Sequence, residues 1–282
     1  MTLKHQEKPS SIAIIVSVYK DIKSLEIILN SLQNQSYPLD EIIISEDGDS
    51  IEMKNFIESL SIPNLKHISQ EDLGWQKNKA LNNAIRNTQS EYIIFIDGDV
   101  VPHKEFVKGH FNCSEVHKVC CGKRSELGEK YSQAILKNEI SIDKISKNYL
   151  WNIFSLHSDG VHHYEDGLYS SLLNKFTSSR KIRHIIGCNF SCYKTDLEAI
   201  NGFNEDFVNP GEGEDVDITW RFKALGIQMK SCRYIANIYH LWHPKRFSDK
   251  EGQINRAIMQ KSQKDNQIRA LNGLKKLTEG KQ

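Results

Sequence analysis

The segment FIDGDVVP places two carboxylates at the end of an apolar run. The run from Tyr92 to Ile96 predicts a buried strand, so Asp97 and Asp99, on either side of Gly98, project beyond its end. Carboxylates in this position suit a hard divalent cation and leave coordination positions for phosphate oxygens. An ordinary Asp-Gly turn is the alternative interpretation, and the other polar clusters of the chain must decide between the two.

A second acidic cluster lies in GEGEDVDITWRF, where Glu212, Glu214 and Asp215 precede an amphipathic helix. Acids at a helix N-terminus are favoured by the helix dipole, which is one interpretation. In the other, the glycines let a ligand approach the backbone while one carboxylate serves as a general base. A base must stay ionised, and the dipole would help to keep it so.

Two histidines stand three residues apart in HLWHPKR. At this spacing the imidazoles of His240 and His243 can converge on one ion, although such histidines alone are more often structural. Together with the aspartate turn they predict a metal site of Asp99, His243 and His240. Mn²⁺ suits mixed oxygen and imidazole ligands better than Ca²⁺, with Mg²⁺ as the alternative. Lys245 and Arg246 are candidates for neutralising a departing diphosphate.

The elements that must position these groups alternate between strand and helix periodicity over the first hundred residues. Such alternation predicts an α/β fold with a mostly parallel sheet, which binds ligands beyond the C-terminal ends of its strands. Ser17, Tyr19, Glu46 and Asp47 fall at such ends, as do the two aspartates. The predicted strands are Ile12 to Val18, Glu41 to Ser45, Leu65 to Ile68 and Tyr92 to Ile96, and the predicted helices are Asp21 to Gln33, Ile51 to Leu60 and Gln76 to Arg86.

The alternation stops after Gly122, and we divide the chain accordingly. Residues 1–122 form the regularly alternating half, 123–184 a variable helical insert over the site, and 185–248 a second organised half. In 249–282, Ile254, Ile258, Ile268 and Leu271 recur at helical intervals, which indicates a C-terminal helix or a frayed tail.

Composition narrows the function classes. A formal charge of +1 in 282 residues argues against bulk attraction to nucleic acid or anionic lipid, so any anion must be held locally. The N-terminus is polar and no stretch approaches the roughly 18 apolar residues of a membrane span, so we expect a cytoplasmic protein. The six scattered cysteines are expected to be reduced, and the CxxxC spacing of Cys188 and Cys192 is not that of a structural zinc site.

The motifs resemble those of a known family. VSVYK, EDGDS, GWQKNKALNNAI and IDGD are similar to the nucleotide-binding half of family 2 glycosyltransferases, whose GT-A fold has a Rossmann-like sheet with helices on both faces and an acceptor-side subregion. Asn82 also precedes Asp97 by 15 residues, as a helix asparagine does in that family. GCN-S, NGF-E-F, G-GED and H-H-P resemble the C-terminal part of its galactosyltransferase-like members.

The resemblance implies that residues 1–122 are a nucleotide-sugar-binding half and residues 185–248 an acceptor and catalytic half, and it implies a role for each matching residue. The donor would be bound by Ser17 and Tyr19 around the nucleobase, Glu46 or Asp47 at its imide hydrogen, Lys79 and Asn82 near the ribose or diphosphate, and Asp97 and Asp99 along the nucleotide. Asp99 would bind the metal directly, with His243 and possible help from His240. Asp215 would deprotonate the acceptor and Glu214 would hold an acceptor hydroxyl, while Glu212 stands where many relatives have tryptophan.

The expected activity is that of an inverting, metal-dependent glycosyltransferase in polysaccharide biosynthesis. Its expected donor is a nucleotide diphosphate sugar, with UDP as the nucleotide. Its acceptor would be a glycan or a lipid-linked glycan, which leaves peripheral attachment to a membrane open. One alternative is a sugar-phosphate nucleotidyltransferase, although the first strand is not followed by a glycine-rich basic loop for a triphosphate. Another is a non-catalytic sugar-nucleotide or glycan-binding module, which has little need of both metal ligands and a base.

Overall fold

The first half of the protein repeats strand and helix. The computed structural model describes residues 8–178, 181–211, 213–244 and 248–278. The elements up to residue 97 are β1 (Ile12–Val18), α1 (Ile22–Gln33), β2 (Glu41–Glu46), α2 (Ile51–Glu58), β3 (Leu65–Ile68), α3 (Lys77–Asn87) and β4 (Tyr92–Asp97). All seven were predicted, and their bounds differ from the predicted ones by at most two residues.

These strands form the parallel part of a larger sheet. The sheet has seven strands in the order β3-β2-β1-β4-β8-β6-β9, where β6 is Lys118–Cys121, β8 is Phe190–Tyr193 and β9 is Gln228–Ser231. Strand β8 runs antiparallel to both of its neighbours, and the remaining pairs are parallel. The predicted α/β fold with a mostly parallel sheet is therefore confirmed.

A second, three-stranded sheet was not foreseen. Its order is β5-β10-β7, formed by Val100–Pro102, Asn237–His240 and Lys123–Glu126. Strands of three or four residues are too short to show a periodicity in the sequence. The first residues of the segment 123–184 thus belong to a sheet that also contains His240, before α5 (Glu129–Leu136), α6 (Ile142–Lys147), α7 (Ile153–Ser158), a 3₁₀ turn (Tyr164–Gly167) and α8 (Ser171–Thr177).

The core lies on both faces of the large sheet because successive strand side chains point to opposite faces. Ile14 packs on the face covered by α1, whereas Ile15 and Phe95 pack on the other face with residues of α3. That second face is also covered by α10 (Glu214–Ala224) and by α9 (Lys194–Ala199), while α4 (Phe106–Cys113) packs on the first. Helices on both faces are thus confirmed.

The C-terminal segment contains one helix, α11 (Asp249–Lys264). It begins with a capping box in which Ser248 and Glu251 bond reciprocally, and it ends before Ile268 and Leu271. All six cysteines are buried free thiols. No helix in the described part of the chain is both long and apolar enough to cross a bilayer.

Candidate active site

A cavity of about 360 Å³ opens at the C-terminal ends of β1, β2 and β4. Ser17, Tyr19, Asp47, Asp97 and Asp99, which the sequence assigned to a donor site, all line it. The sequence did not single out three other lining residues, Trp75, Lys77 and Pro210. The cavity therefore gathers strand-end residues that are as far apart in the chain as Ser17 and Asp99, as the parallel sheet predicts.

The turn between the two aspartates depends on Gly98. The amide of Gly98 donates a hydrogen bond of 2.7 Å to the carbonyl of Ser17 on the neighbouring strand. A Cβ at this position would lie 2.9 Å from the same oxygen, closer than real Cβ atoms approach. Glycine is thus required for β4 to turn this tightly beside β1, which directs both aspartates towards the cavity.

The carboxylate of Asp99 lies next to both histidines of the predicted metal site. It lies 3.6 Å from Nε2 of His240 and 3.2 Å from Nε2 of His243. The short strands bring them together, because β10 pairs with β5 so that His240 lies opposite Val100. The amide of Leu241 also donates a hydrogen bond of 2.8 Å to the carbonyl of Asp99. Asp99 is thereby held beside residues that lie 141 and 144 positions further along the chain.

The chemistry of this group fits a divalent cation. Oδ1 of Asp99 is buried and has no hydrogen-bond partner in the described part of the chain. Burial would raise the pKa of Asp99, but the hydrogen bond with His243 and the neighbouring His240 hold it at about 2, so the carboxylate is anionic. Burial lowers the pKa of His240, which favours the neutral imidazole that binds metals. The ligand atoms lie within 4.8 Å of one another, as one shared ion requires.

Asp97 interacts with a lysine that the sequence analysis missed. Its carboxylate is 2.7 Å from Nζ of Lys77, the first residue of α3. Burial alone would lower the pKa of Lys77, but Asp97, Glu214 and Asp215 raise it well above its ordinary value. Lys77 is therefore a fixed cation shared by three carboxylates. Its position at the start of a helix that follows the strand-end edge is the signal that could have found it.

Three of the expected donor residues do not line this cavity. Lys79 extends from the same helix as Lys77 but bonds to Gln76. Asn82 is fully buried, where its amide bonds to both the carbonyl and the N–H of Phe203 and so joins α3 to the NGF segment. Glu46 is also buried, and its carboxylate pairs with His67 at 2.8 Å. Of the two acids after β2, Asp47 is the one that faces the cavity.

Asp215 is held by a backbone amide and does not cap its helix. Helix α10 has Gly213 as its N-cap residue, without a side-chain cap. Oδ2 of Asp215 accepts a hydrogen bond of 2.8 Å from the amide of Gly187. A Cβ on Gly187 would lie 2.5 Å from Oδ1 of the same carboxylate. The glycine of the GCN motif therefore fixes the orientation of Asp215.

The two acids at the start of α10 have perturbed pKa values. Burial and the neighbouring Asp215 raise the pKa of Glu214 to about 7. Burial also raises the pKa of Asp215, although Lys77 and the Gly187 amide oppose this rise. Burial is the largest influence on the pKa of both acids. A carboxylate whose pKa is moved towards neutral pH is suited to accept a proton there.

Asp215 also lines a second cavity, of about 360 Å³, on the side of the segment 123–184. Arg124 and Glu126 line this cavity as well and form an ion pair of 2.9 Å. Asn189 of the GCN motif donates hydrogen bonds to the carbonyls of Lys123 and Ala236, and so holds the two strand regions together. Glu212, Lys245 and Arg246, for which the sequence suggested roles, lie outside the described residues.

Comparison with known proteins identifies the family. Residues 13–192 match the family described as glycosyl transferase family 2. The chain belongs to this family. It is a glycosyltransferase with the GT-A fold, and residues 169–244 also match a family described as the N-terminal domain of galactosyltransferase. Both resemblances drawn from the motifs are therefore confirmed.

Relatives of known name are distant and longer than this chain. Chondroitin synthase from Escherichia coli is 25% identical over 260 residues, covering 87% of this chain and 36% of its own length. Hyaluronan synthase from Pasteurella multocida is 22% identical over 267 residues, covering 91% of this chain and 27% of its own length. The chain thus spans only about a third of these relatives.

Solved structures show the same fold. The mannosyltransferase PcManGT from Pyrobaculum calidifontis, in complex with GDP-Man and Mn²⁺, superposes with a TM-score of 0.55 at 15% identity, covering 89% of this chain and 61% of its own. GalNAc-T7 with UDP, GalNAc and Mn²⁺ superposes with a TM-score of 0.58 at 9% identity, covering 84% of this chain and 45% of its own. At these identities the likeness supports the fold alone.

Proposed function

We propose that this glycosyltransferase moves a hexose from a nucleotide diphosphate donor, UDP foremost, to a hydroxyl of a glycan acceptor with inversion at the anomeric carbon. The observation that carries this proposal is the group of Asp99, His240 and His243 on one side of the donor cavity. The strongest single sign that a cation belongs there is the buried Oδ1 of Asp99, which has no hydrogen-bond partner among the described residues.

The cavity accounts for the donor. Ser17 and Tyr19 flank the nucleobase, and Asp47 is placed to accept an imide N–H, which uracil has and cytosine lacks. The carboxylate of Asp47 is oriented by the amide of Gln76 and the side chain of Gln70, which donate bonds of 2.7 and 2.8 Å. Because these two hydrogen bonds fix the carboxylate of Asp47, they favour its binding to one defined edge of the base.

The cation requirement rests on the same site. A divalent ion, Mn²⁺ foremost and Mg²⁺ as the alternative, would neutralise the charge that develops on the departing nucleoside diphosphate. Asp99, His240 and His243 are the residues that would hold it. Two solved structures of similar fold are described as complexes with Mn²⁺. Lys77, held beside Asp97, adds a second positive charge at the cavity wall.

Asp215 is the proposed general base. The acceptor oxygen attacks the anomeric carbon, its proton passes to Asp215, and the bond from that carbon to the diphosphate oxygen breaks with the electron pair leaving on the diphosphate. A single displacement of this kind inverts the anomeric configuration. The Gly187 amide holds one carboxylate oxygen, so the other is left to face the acceptor. Glu214 would orient a second acceptor hydroxyl.

We propose polysaccharide biosynthesis in the cytoplasm as the setting, with a glycan or lipid-linked glycan as acceptor. Two relatives named chondroitin synthase and hyaluronan synthase support this setting. The absence of a glycine-rich basic loop after β1 still argues against a sugar-phosphate nucleotidyltransferase.

The test is a panel of nucleotide sugars incubated with Mn²⁺ and candidate glycans, with release of nucleoside diphosphate as the readout. Release should stop with a chelator and in Asp99→Ala, because a missing anionic ligand leaves the cation poorly bound. Asp265→Ala is the matched control, since this exposed aspartate after α11 lies outside the cavity. Pyrophosphate release from a nucleoside triphosphate and a sugar phosphate would instead establish the nucleotidyltransferase. Unchanged Mn²⁺-dependent donor affinity in Asp99→Ala, measured by calorimetry, would refute the metal assignment.

A further inference from the structure

An apolar surface projects from the end of α6 and the start of α7. We define the aromatic surface as Leu150, Trp151 and Phe154. Trp151 is 88% exposed, Phe154 86% and Leu150 65%. Trp151 and Phe154 are more exposed than any other large apolar side chain that the structure describes. Adjacent exposed side chains of this size mark a surface that contacts something else.

These side chains are not needed to pack the segment that carries them. Ile145, Tyr149 and Leu156, from the same stretch, are buried and face inwards. The hydroxyl of Tyr149 also bonds to Ser125 on β7 at 3.1 Å. The segment is therefore anchored to the protein by its inner face, and the aromatic surface is held on the outside.

The charge around the surface points to the partner. Lys144 and Lys147 are exposed, and after the half-buried Asp143 in the first turn of α6 the sequence contains no acidic residue until Asp159. Asp159 accepts hydrogen bonds from the backbone amides of Lys130 and Tyr131. Lysine is depleted at protein interfaces, whereas lysines beside exposed tryptophan, phenylalanine and leucine are typical of elements that bind the bilayer interface. A local excess of positive charge is thus present in a chain whose net charge is only +1.

We propose that the aromatic surface, with Lys144 and Lys147, binds the headgroup region of an anionic lipid bilayer. Tryptophan favours this depth because its ring is apolar and its N–H is polar. Helix α7 contacts the 3₁₀ turn that contains Asp166, and Asp166 lines the cavity that also contains Asp215. The segment that meets the bilayer therefore borders the acceptor side of the active site.

Co-sedimentation with vesicles tests the proposal, using the whole chain without donor or acceptor. The parent should bind phosphatidylcholine vesicles that contain phosphatidylglycerol. Trp151→Ser/Phe154→Ser should lower the bound-to-free ratio by roughly tenfold or more, because the inserted apolar area is lost. Lys144→Gln/Lys147→Gln should weaken binding to the anionic vesicles only, and added salt should mimic this effect.

Ile51→Ser is the matched control, because Ile51 on α2 is 71% exposed and lies outside the surface. It should leave vesicle binding unchanged, and circular dichroism should confirm that each variant folds. Absence of parent binding to anionic vesicles, or equal binding by the aromatic double variant, would overturn the proposal. So would self-association, seen by sedimentation equilibrium, that the double variant abolishes while vesicles stay unbound. Sugar transfer in solution is measured separately, so failure of one proposal does not imply failure of the other.

Discussion

Replacing Asp215 with asparagine separates chemistry from stability. In Asp215→Asn the amide oxygen can still accept the 2.8 Å hydrogen bond from Gly187. A bond to a neutral acceptor is weaker than one to a carboxylate by about 1 kcal/mol. The variant also loses the attraction between Asp215 and Lys77, but it removes an anion that burial disfavours and that repels Glu214. These losses and gains offset each other, so we expect unfolding free energy to change by no more than about 1 kcal/mol.

The same substitution should abolish proton transfer. An asparagine amide has no usable basicity, and loss of a general base lowers turnover by roughly a hundredfold or more, or about 2.7 kcal/mol in the barrier. The assay compares kcat, donor affinity by calorimetry and melting temperature for the parent and variant. Glu214→Gln is the companion, for which a raised acceptor KM is expected more than a lowered kcat. An Asp215→Asn protein with near-normal kcat would end the assignment of Asp215 as base.

Three further variants examine the surroundings of this carboxylate. Lys77→Gln removes the charge that lowers the pKa of Asp215, so the acid limb of the rate profile should move to higher pH, whereas Lys79→Gln should not move it. Gly187→Ala places a Cβ 2.5 Å from Oδ1 of Asp215, so kcat should fall while calorimetric donor affinity stays; a parent-like kcat would contradict the role of the glycine. Glu214 has its pKa raised from 4.5 to about 7, so its stabilising effect is full below pH 4.5 and lost as pH rises towards 7. Glu214→Gln should therefore melt higher than the parent at pH 8 and equally at pH 4, and equal melting at both would refute the raised pKa.

Lys77 interacts with three acidic side chains in this site. Asp97 pairs with Lys77 directly, while Glu214 and Asp215 lie near enough to influence its pKa. Lys77 opposes the effect of burial, which raises the pKa of Glu214 and Asp215 towards the protonated form. Lys77 is therefore what permits a donor-side aspartate and a basic carboxylate to coexist in one buried place.

The sequence by itself determined the parallel half of the fold and the edge at which the site lies. Strands buried on both faces must be continuous apolar runs, and the apolar residues of the intervening helices must recur with a period of 3.6 residues. Both patterns can therefore be recognised in the sequence. Once the strands were placed, their C-terminal ends had to share one edge. Ser17, Asp47 and Asp99 could therefore be assigned to one cavity before the structure was known.

Only the tertiary structure decided which neighbouring side chains face that cavity. Lys77 and Lys79 are two positions apart, which turns them to different sides of α3, and the rotation of the helix against the sheet selects Lys77. The same rotation buries Asn82 against Phe203, where its amide joins two segments. The resemblance in sequence assigned both Lys79 and Asn82 to the donor site, but the packing of α3 turns them away from the cavity.

The metal group shows the same division most clearly. The HLWH spacing and the aspartate turn predicted one metal site of Asp99, His240 and His243. The sequence did not show which elements would bring these residues together, because the three- and four-residue strands of the second sheet have no readable period. Pairing of β10 with β5 places His240 opposite Val100, the residue after Asp99, and so brings the histidines next to this carboxylate. The chemistry of each residue is local and can be read from the sequence. The convergence of Asp99 with His240 and His243, about 140 residues further along the chain, depends on hydrogen bonds that form only when the chain has folded.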